Sequence, residues 1–387
     1  MSKDNLFDIA IIGGGISACV FASTHIKNGF NGRIAIIENG RNLGGRSSTR
    51  ISFSNYGWQL NHGAPNFNII NSKNNLLLEN FIQELLHSNI IQSDTSELSQ
   101  LYDEPKDKNI LNSLFYYGKN YKSRSSMSDL SKKIISINNF RNQIEYFFEN
   151  LIVKLNYQDN SWILTSKNGN KFRTKFLVCS SNLLLHKRSL DIFKVNQIPL
   201  RKAIPINQDK TIDKIIHLLY KQDYIQRLTF LIYTKSDYCY KDKYEKDYRY
   251  FLLNGCLEER FKFERIIFQN QINEKLGLVI HTKNKDFIDD FFNSNNEEKF
   301  KKNVIVKFNR IFDLHPHINK LRDYQDFSIM RWRASQPTGS QIPENLQICK
   351  NYNIAFCGDW FDYEGFGRIE GSILSALILS NKINSLV

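Results

Sequence analysis

The stretch "FDIAIIGGGISACVFASTHIKNGFNGRIAIIE", residues 7–38, limits the possible folds more than any other part of the chain. "FDIAII" is an apolar run without alternation, as a parallel strand covered on both faces requires. Ile16 to Lys27 has helical spacing and ends at Asn28-Gly29, a suitable C-terminal stop. "RIAIIE" reads as a second buried strand, so the chain opens with a βαβ unit. Gly13-x-Gly15-x-x-Ala18 lies between strand and helix. Gly13 permits a tight turn, Gly15 lets backbone approach a pyrophosphate, and Ala18 lets helix and strand pack closely. Ile16 and Ser17 fall in the first helical turn, where free N–H groups and the helix dipole favour an anion. Glu38 ends the second strand and can accept hydrogen bonds from ribose hydroxyls. A carboxylate there disfavours a ribose 2′-phosphate, because like charges would meet. An adenine dinucleotide without that phosphate is expected.

The remaining sequence is long enough for about two domains, the chain having 387 residues. Residues 72 to 125 turn polar and Asn- and Ser-rich, with amphipathic pieces such as "LLLENFIQELLHS". "SWILTSKNGNKFRTKFLVCSS" reads as a hairpin turning at Asn168-Gly169, whose apolar second strand returns to the first domain. From 190 to 345, strand candidates such as "RLTFLIYT" and "LGLVIHT" alternate with helical stretches such as "EKFKKNVIVKFNRIF". "NIAFCGD" is a further apolar strand, and "IEGSILSALILSNKI" a helix. The expected fold class is α/β: a Rossmann-like dinucleotide domain assembled from residues 1–71, 126–189 and 346–387. An α+β substrate domain with an antiparallel sheet, residues 72–125 and 190–345, is inserted in it.

The formal charge is +13, from 52 Lys and Arg against 39 Asp and Glu, which favours anionic partners. The basic residues form no long block, and nucleic acid is not an expected partner. The six cysteines show neither CxxC nor metal spacing, so buried free thiols in a reducing cytosol are expected and no metal site is. The N-terminus runs into a strand within a few residues, leaving no room for a signal peptide, and no apolar run reaches the ~20 residues of a membrane span. The expected location is cytoplasmic, with peripheral membrane contact left open.

After Glu38 comes "NGRNLGGRSSTR", in which Arg46 stands beside Gly44 and Gly45, and then "NHGAPNF". Together with "IIGGGISA", "YKSRSSMSDLSKKI", "LGLVIHT", "IMRWRASQP" and "FCGDWFDYEGFGRIEGSILSA", in this order, the chain resembles the renalase-like branch of the flavin amine oxidase superfamily. The glycine motif and Gly-Gly-Arg belong to the whole superfamily; Arg-Trp-Arg-Ala at 331–334 followed by Gly-Asp-Trp at 358–360 is particular to that branch. The match is loose over 72–115 and 190–270.

The resemblance implies noncovalent FAD. It places Gly13, Gly15, Glu38, Gly45, Arg46, Gly358 and Asp359 around the adenosine, diphosphate and ribityl parts, and Gly63 and Ala64 near the flavin ring. The helix start at Glu370-Gly371 would aim N–H groups at the ring's pyrimidine edge. For the substrate side, Trp332, Arg331, Tyr363 and His62 are the candidates: an aromatic wall holding a flat molecule and an arginine holding a carboxamide or phosphate. His281 of "LVIHT" is read as structural ahead of catalytic. Renalase-like proteins oxidise isomeric reduced nicotinamide dinucleotides and pass the electrons to dioxygen, so a small dihydropyridine or amine substrate with dioxygen as acceptor is expected. Asn61 and Pro65-Asn66 depart from the family pattern. Two other readings stay open, a flavin desaturase or oxidase of an isoprenoid, carotenoid or pigment precursor, and a catalytically silent flavin-binding protein.

Overall fold

A computed structural model describes residues 6–52, 57–70, 75–101, 117–137, 143–235, 248–271, 276–294, 296–313 and 320–384. Its first sheet is built around β1 (Leu6–Ile12), parallel to β2 (Ile34–Ile37) on one side and to β12 (Lys171–Cys179) on the other. β9 (Ile144–Phe147) extends the sheet beyond β2. The first half of β12 pairs antiparallel with β11 (Ser161–Ser166), which pairs with β10 (Ile152–Gln158). Its second half runs parallel to β19 (Ile354–Phe356), itself paired with β18 (Ile348–Cys349). Residues 9 to 12 of β1 are buried in succession because helices cover both faces.

On one face, α1 (Ile16–Lys27), α2 (Leu76–His87), α3 (Met127–Ser136) and α10 (Ile369–Asn384) share a core with Ile9, Ile11 and Ile36. The other face receives α4 (Arg188–Phe193), α5 (Pro199–Ala203) and α6 (Lys210–Tyr220); Leu200, Ile212 and Leu219 pack there with Ala10, Ile12 and Phe356. A hairpin of β3 (Thr49–Ser52) and β4 (Trp58–Asn61) and a small sheet of β5 (Phe67–Ile69), β8 (Lys119–Ser123) and β6 (Ile91–Ser93) lead outward.

The second large sheet has the order β17 (Tyr324–Gly339), β13 (Gln222–Thr234), β16 (Leu276–Thr282), β15 (Arg265–Asn270), β14 (Tyr248–Leu253), β7 (Glu97–Leu101). Its pairs are antiparallel except β14 with β7. α7 (Cys256–Phe261), α8 (Lys285–Asn293) and α9 (Glu297–Ile311) cover one face, where Phe230, Phe268, Phe287, Phe300 and Phe308 form an aromatic core. Trp58, Leu60, Leu231, Tyr233 and Val279 pack on the other, toward the first sheet. The fold is therefore mixed α/β with a Rossmann-like unit, as expected.

The described residues of 72–125, expected with the second unit, divide between the two. Leu78, Phe81, Leu85, Ile91 and Tyr121 enter the core under α1, and among the described residues of this stretch β7 alone joins the second sheet. Likewise α5 and α6, from the stretch assigned to the substrate side, cover the back of the first sheet. Their apolar stripes carry no mark of which sheet they cover. Cys19, Cys179, Cys349 and Cys357 are buried free thiols, whereas Cys256, at the start of the surface helix α7, is exposed, against expectation; Cys239 lies outside the described residues. Among the described residues no helix is long and apolar enough to cross a membrane.

Candidate active site

Between the two sheets lies a cavity of about 900 Å³, near the upper end of the ~300–1,000 Å³ typical of ligand and cofactor sites. One end is the β1–α1 turn. Gly13 has φ +100°, and a Cβ there would sit 2.8 Å from Ser180 Oγ, so the turn needs glycine. A Cβ on Gly15 would meet nothing within 4 Å, so that position opens on free space. Gly15 caps α1 without a side-chain hydrogen bond, and the first turn holds no acid. By contrast, Asn75, Ser126 and Asp209 each cap their helix through a side-chain oxygen. The N–H groups of α1 are thus left for an anion.

The Gly-Gly-Arg loop is stitched to this turn. Gly44 N–H donates to Gly14 O at 2.9 Å, and Gly15 and Gly44 form a parallel bridge. Residues 46–48 run in turn against 62–64: His62 and Gly63 N–H donate to Ser48 O at 3.1 and 3.2 Å, and Ala64 N–H to Arg46 O at 3.0 Å. A Cβ on Gly63 would lie 2.0 Å from Arg46 O, so no side chain fits there. Glu38 accepts the N–H of Gly14 through Oε2 and of Gly40 through Oε1, each at 2.6 Å. Each carboxylate oxygen keeps further lone pairs for a ribose. Arg46 grips Asp359 in a two-pronged ion pair, NH1 to Oδ2 at 2.7 Å and NH2 to Oδ1 at 2.6 Å. Beside it, Trp360 is buried with no acceptor for its indole N–H among the described residues. The open position at Gly15, the uncapped helix and this orphaned donor, all at one cavity, fit an elongated dinucleotide.

The other end of the cavity is built by the second sheet and the 62–64 turn. Trp332 lies 5.3 Å from the His62 ring at 30°, its indole N–H donating to Thr229 Oγ1 at 3.1 Å. Burial, with Arg50 nearby, pushes the His62 imidazole down to about 4, so it is neutral near pH 7. The His281 ring nitrogen Nε2 is 3.1 Å from His62 O, and its Nδ1 has no partner among the described residues. Burial and Arg265 hold this ring far below the usual imidazole range, so it too is neutral; Nε2 then carries the proton and Nδ1 is an acceptor. Arg227 grips Glu264 through Nε at 2.9 Å and NH2 at 3.1 Å, and Lys283 lies 3.2 Å from Glu258 and 3.8 Å from Glu264. Burial would raise the Glu264 carboxyl, but Arg265, Arg227 and Lys283 outweigh it and hold the group well below the ordinary carboxylate range.

Of the residues singled out in the sequence, Gly13, Gly15, Ile16, Ser17, Glu38, Gly45, Arg46, His62, Gly63, Ala64, Trp332, Gly358 and Asp359 line this cavity. Ala18 is fully buried in the helix–sheet core. Four others do not line it. Arg331 points to the opposite face of β17, as alternation along a strand demands, and its guanidinium lies 3.6 Å from the Phe292 ring centroid. Tyr363 packs beside Phe361 at 6.1 Å between the first two cores. The fully buried Glu370 accepts the Ile70 N–H at 2.8 Å and pairs with Arg368, and Gly371 N–H donates to Gly365 O at 3.2 Å. At the start of α10 the cavity is instead lined by Gly367, Arg368, Ile369 and Ser372.

Sequence reasoning missed Ser180, Ser181 and Asn182, which follow β12, and Arg188, Tyr224, Arg227, Glu264, Arg265 and Lys283. The serines had a usable signal, two hydroxyls directly after an apolar strand beside β1. Asn182 and Arg188 come from the loop after β12 and the start of α4, and the others converge through pairing of distant strands.

A family profile described as an NAD(P)-binding Rossmann-like domain matches residues 11–85. No curated protein matches the sequence. Among solved structures, a cofactor-binding variant of putrescine oxidase is similar with a TM-score of 0.65 at 11% identity, covering 99% of this chain and 99% of that one. Wild-type putrescine oxidase bound to putrescine gives 0.64 at 11% identity, with 98% and 99% covered. A structure described as a candidate protoporphyrinogen oxidase from Exiguobacterium gives 0.65 at 10% identity over 100% of both chains. At these identities the likeness is one of fold, and it extends over both units.

Proposed function

We propose that the chain is an FAD-dependent oxidoreductase, renalase-like in its chemistry, acting on a small dihydropyridine or amine-type substrate with dioxygen as electron acceptor. One observation carries the reading: a single cavity runs from the uncapped α1 and its glycine turn to the Trp332–His62 wall of the second sheet. The fold shared with putrescine oxidase and the resemblance of the motifs support it. Bound FAD would supply the two-electron chemistry and hand the electrons to dioxygen. Gly13, Gly15, Ile16 and Ser17 would hold its diphosphate, Glu38 the adenosine ribose, and the Gly45–Arg46 and Gly63–Ala64 turns its far end. Asp359, held in place by Arg46, would accept hydrogen bonds from the ribityl hydroxyls.

The charged floor sorts the substrates. Arg227, Arg265 and Lys283 face Glu264 and Glu258, an excess of one positive charge, beside two neutral histidines. A dicationic polyamine is repelled there, and an apolar isoprenoid would have to strip water from these charges. A flat polar dihydropyridine with a carboxamide can lie along the Trp332–His62 wall. The inference of a cytoplasmic protein goes with that substrate. The test is to purify the protein and mix it anaerobically with isomeric dihydronicotinamides. Bleaching of a yellow protein, with hydrogen peroxide formed on admitting air, is expected; a colourless protein that takes up no FAD overturns the reading.

A further inference from the structure

Arg188 stands out among the cations of the cavity because no carboxylate pairs with it among the described residues. Its neighbour Lys187 pairs with Asp223 at 2.9 Å, and Arg46 with Asp359. The Arg188 guanidinium instead lies 4.0 Å from the Tyr224 ring centroid, with NH2 3.4 Å from Asn182 Oδ1 and a buried Nε that meets no acceptor. The groups around it are held in place. Asn182 Nδ2 donates to Gln222 Oε1 at 3.2 Å and to the Tyr224 hydroxyl, which donates to Gln222 Oε1 at 3.2 Å. The His186 ring bonds Gln222 O through Nε2 at 3.0 Å and receives the Arg188 N–H on Nδ1 at 3.0 Å. This frame positions a guanidinium in the lining of the cavity.

We propose that Arg188, backed by Tyr224 and Asn182, is a subsite for a phosphate or diphosphate group. A partly buried cation with no carboxylate partner is costly unless an anion completes it. A guanidinium fork matches phosphate oxygens in pairs. Arg46 is near enough to repel Arg188. Asp359 is taken up by Arg46, so the two guanidiniums carry a local excess of positive charge. Two sources have this chemistry, the diphosphate of the cofactor and that of a dinucleotide substrate. The second deepens the proposed function and rests on it.

Inorganic pyrophosphate is the probe, with Arg188→Met and Arg188→Lys as variants, each compared with the wild type by circular dichroism. Two quantities are read on the protein as purified: the Tm increase caused by pyrophosphate and the Kd for FAD. If the substrate's phosphate is held, pyrophosphate raises the wild-type Tm, Arg188→Met abolishes the rise with FAD affinity unchanged, and Arg188→Lys keeps part of it. If the cofactor's phosphate is held, Arg188→Met weakens FAD at least tenfold and Arg188→Lys less. Both results support the subsite. Should the Met variant fail to fold, the Lys variant and the wild-type titration carry the same comparison. Wild-type protein that ignores pyrophosphate, together with variants of unaltered FAD affinity, overturns it. Neither quantity requires turnover, so failure to oxidise dihydronicotinamides would sink the proposed substrate and leave this subsite standing.

Discussion

At the residue scale, the cavity depends on a few positions that tolerate little change. Gly63 is pressed so closely on the Arg46 carbonyl that a methyl group has nowhere to go. Gly63→Ala should therefore lower stability by about 1–3 kcal/mol or move the 46–48 segment, read as a fall in Tm together with lost FAD. Glu38 has a different task, since its carboxylate already organises the Gly14 and Gly40 amides. Glu38→Ala removes charge-assisted hydrogen bonds of about 1.5–3 kcal/mol, so the Kd for FAD should rise tenfold or more. An unchanged Kd would contradict the ribose role. Arg331 offers the opposite expectation. It stacks on Phe292 away from the cavity, so Arg331→Ala should leave kcat/KM within about twofold and cost ~0.5–1 kcal/mol of stability at most. Large loss of kcat/KM with intact folding would return it to the site.

At the scale of elements, the βαβ unit was legible because its apolar run, glycine spacing and second strand agree with one another, and α1 spans the residues its spacing predicts. The start of α10 was read as a donor toward the cofactor because Glu370-Gly371 opens an apolar helix. The actual arrangement turns on burial: Glu370 is fully enclosed, fixing Ile70 and Arg368, and the helix shows Ile369 and Ser372 to the cavity. A one-residue rotation around a helix is about 100°, and sequence period alone does not set that phase. Glu370→Gln keeps the shape and removes the charge that pairs with Arg368. It should lower stability by about 3–5 kcal/mol, measured by denaturant unfolding, while any folded fraction still binds FAD. The same reasoning explains why Trp332 was recognisable and Arg331 misassigned: adjacent residues of β17 belong to opposite faces, and the alternation had no anchor until β13 was seen beside it.

For the whole molecule, the parts that could not be read are those assembled by distant pairings. Arg227, Glu264 and Lys283 carry no motif, and they meet because β13, β16 and the start of β15 are neighbours in one sheet. One global property follows from the buried imidazoles. His25, His62 and His186 are each pushed down to about 4, mainly by burial, and burial also holds His281 well below the usual imidazole range. Their folded values lie below the unfolded value near 6.5, so the stability they secure is complete above that pH and is lost as pH falls toward 4. Each contributes a slope of up to about 1.4 kcal/mol per pH unit in that window. The Tm should fall steeply between pH 6.5 and 4. A flat profile there would show that these rings are protonated in the native state.

The ion pair between Arg46 and Asp359 joins positions 313 residues apart. β19, which leads to Asp359, adds to the same sheet as β1 only through β12. A chain emerging from the ribosome at ~5–20 residues per second therefore carries the finished glycine turn for many seconds before its opposite wall exists. On the proposed function, FAD capture would follow the synthesis of Asp359, and until then the Arg46 guanidinium lacks its carboxylate partner.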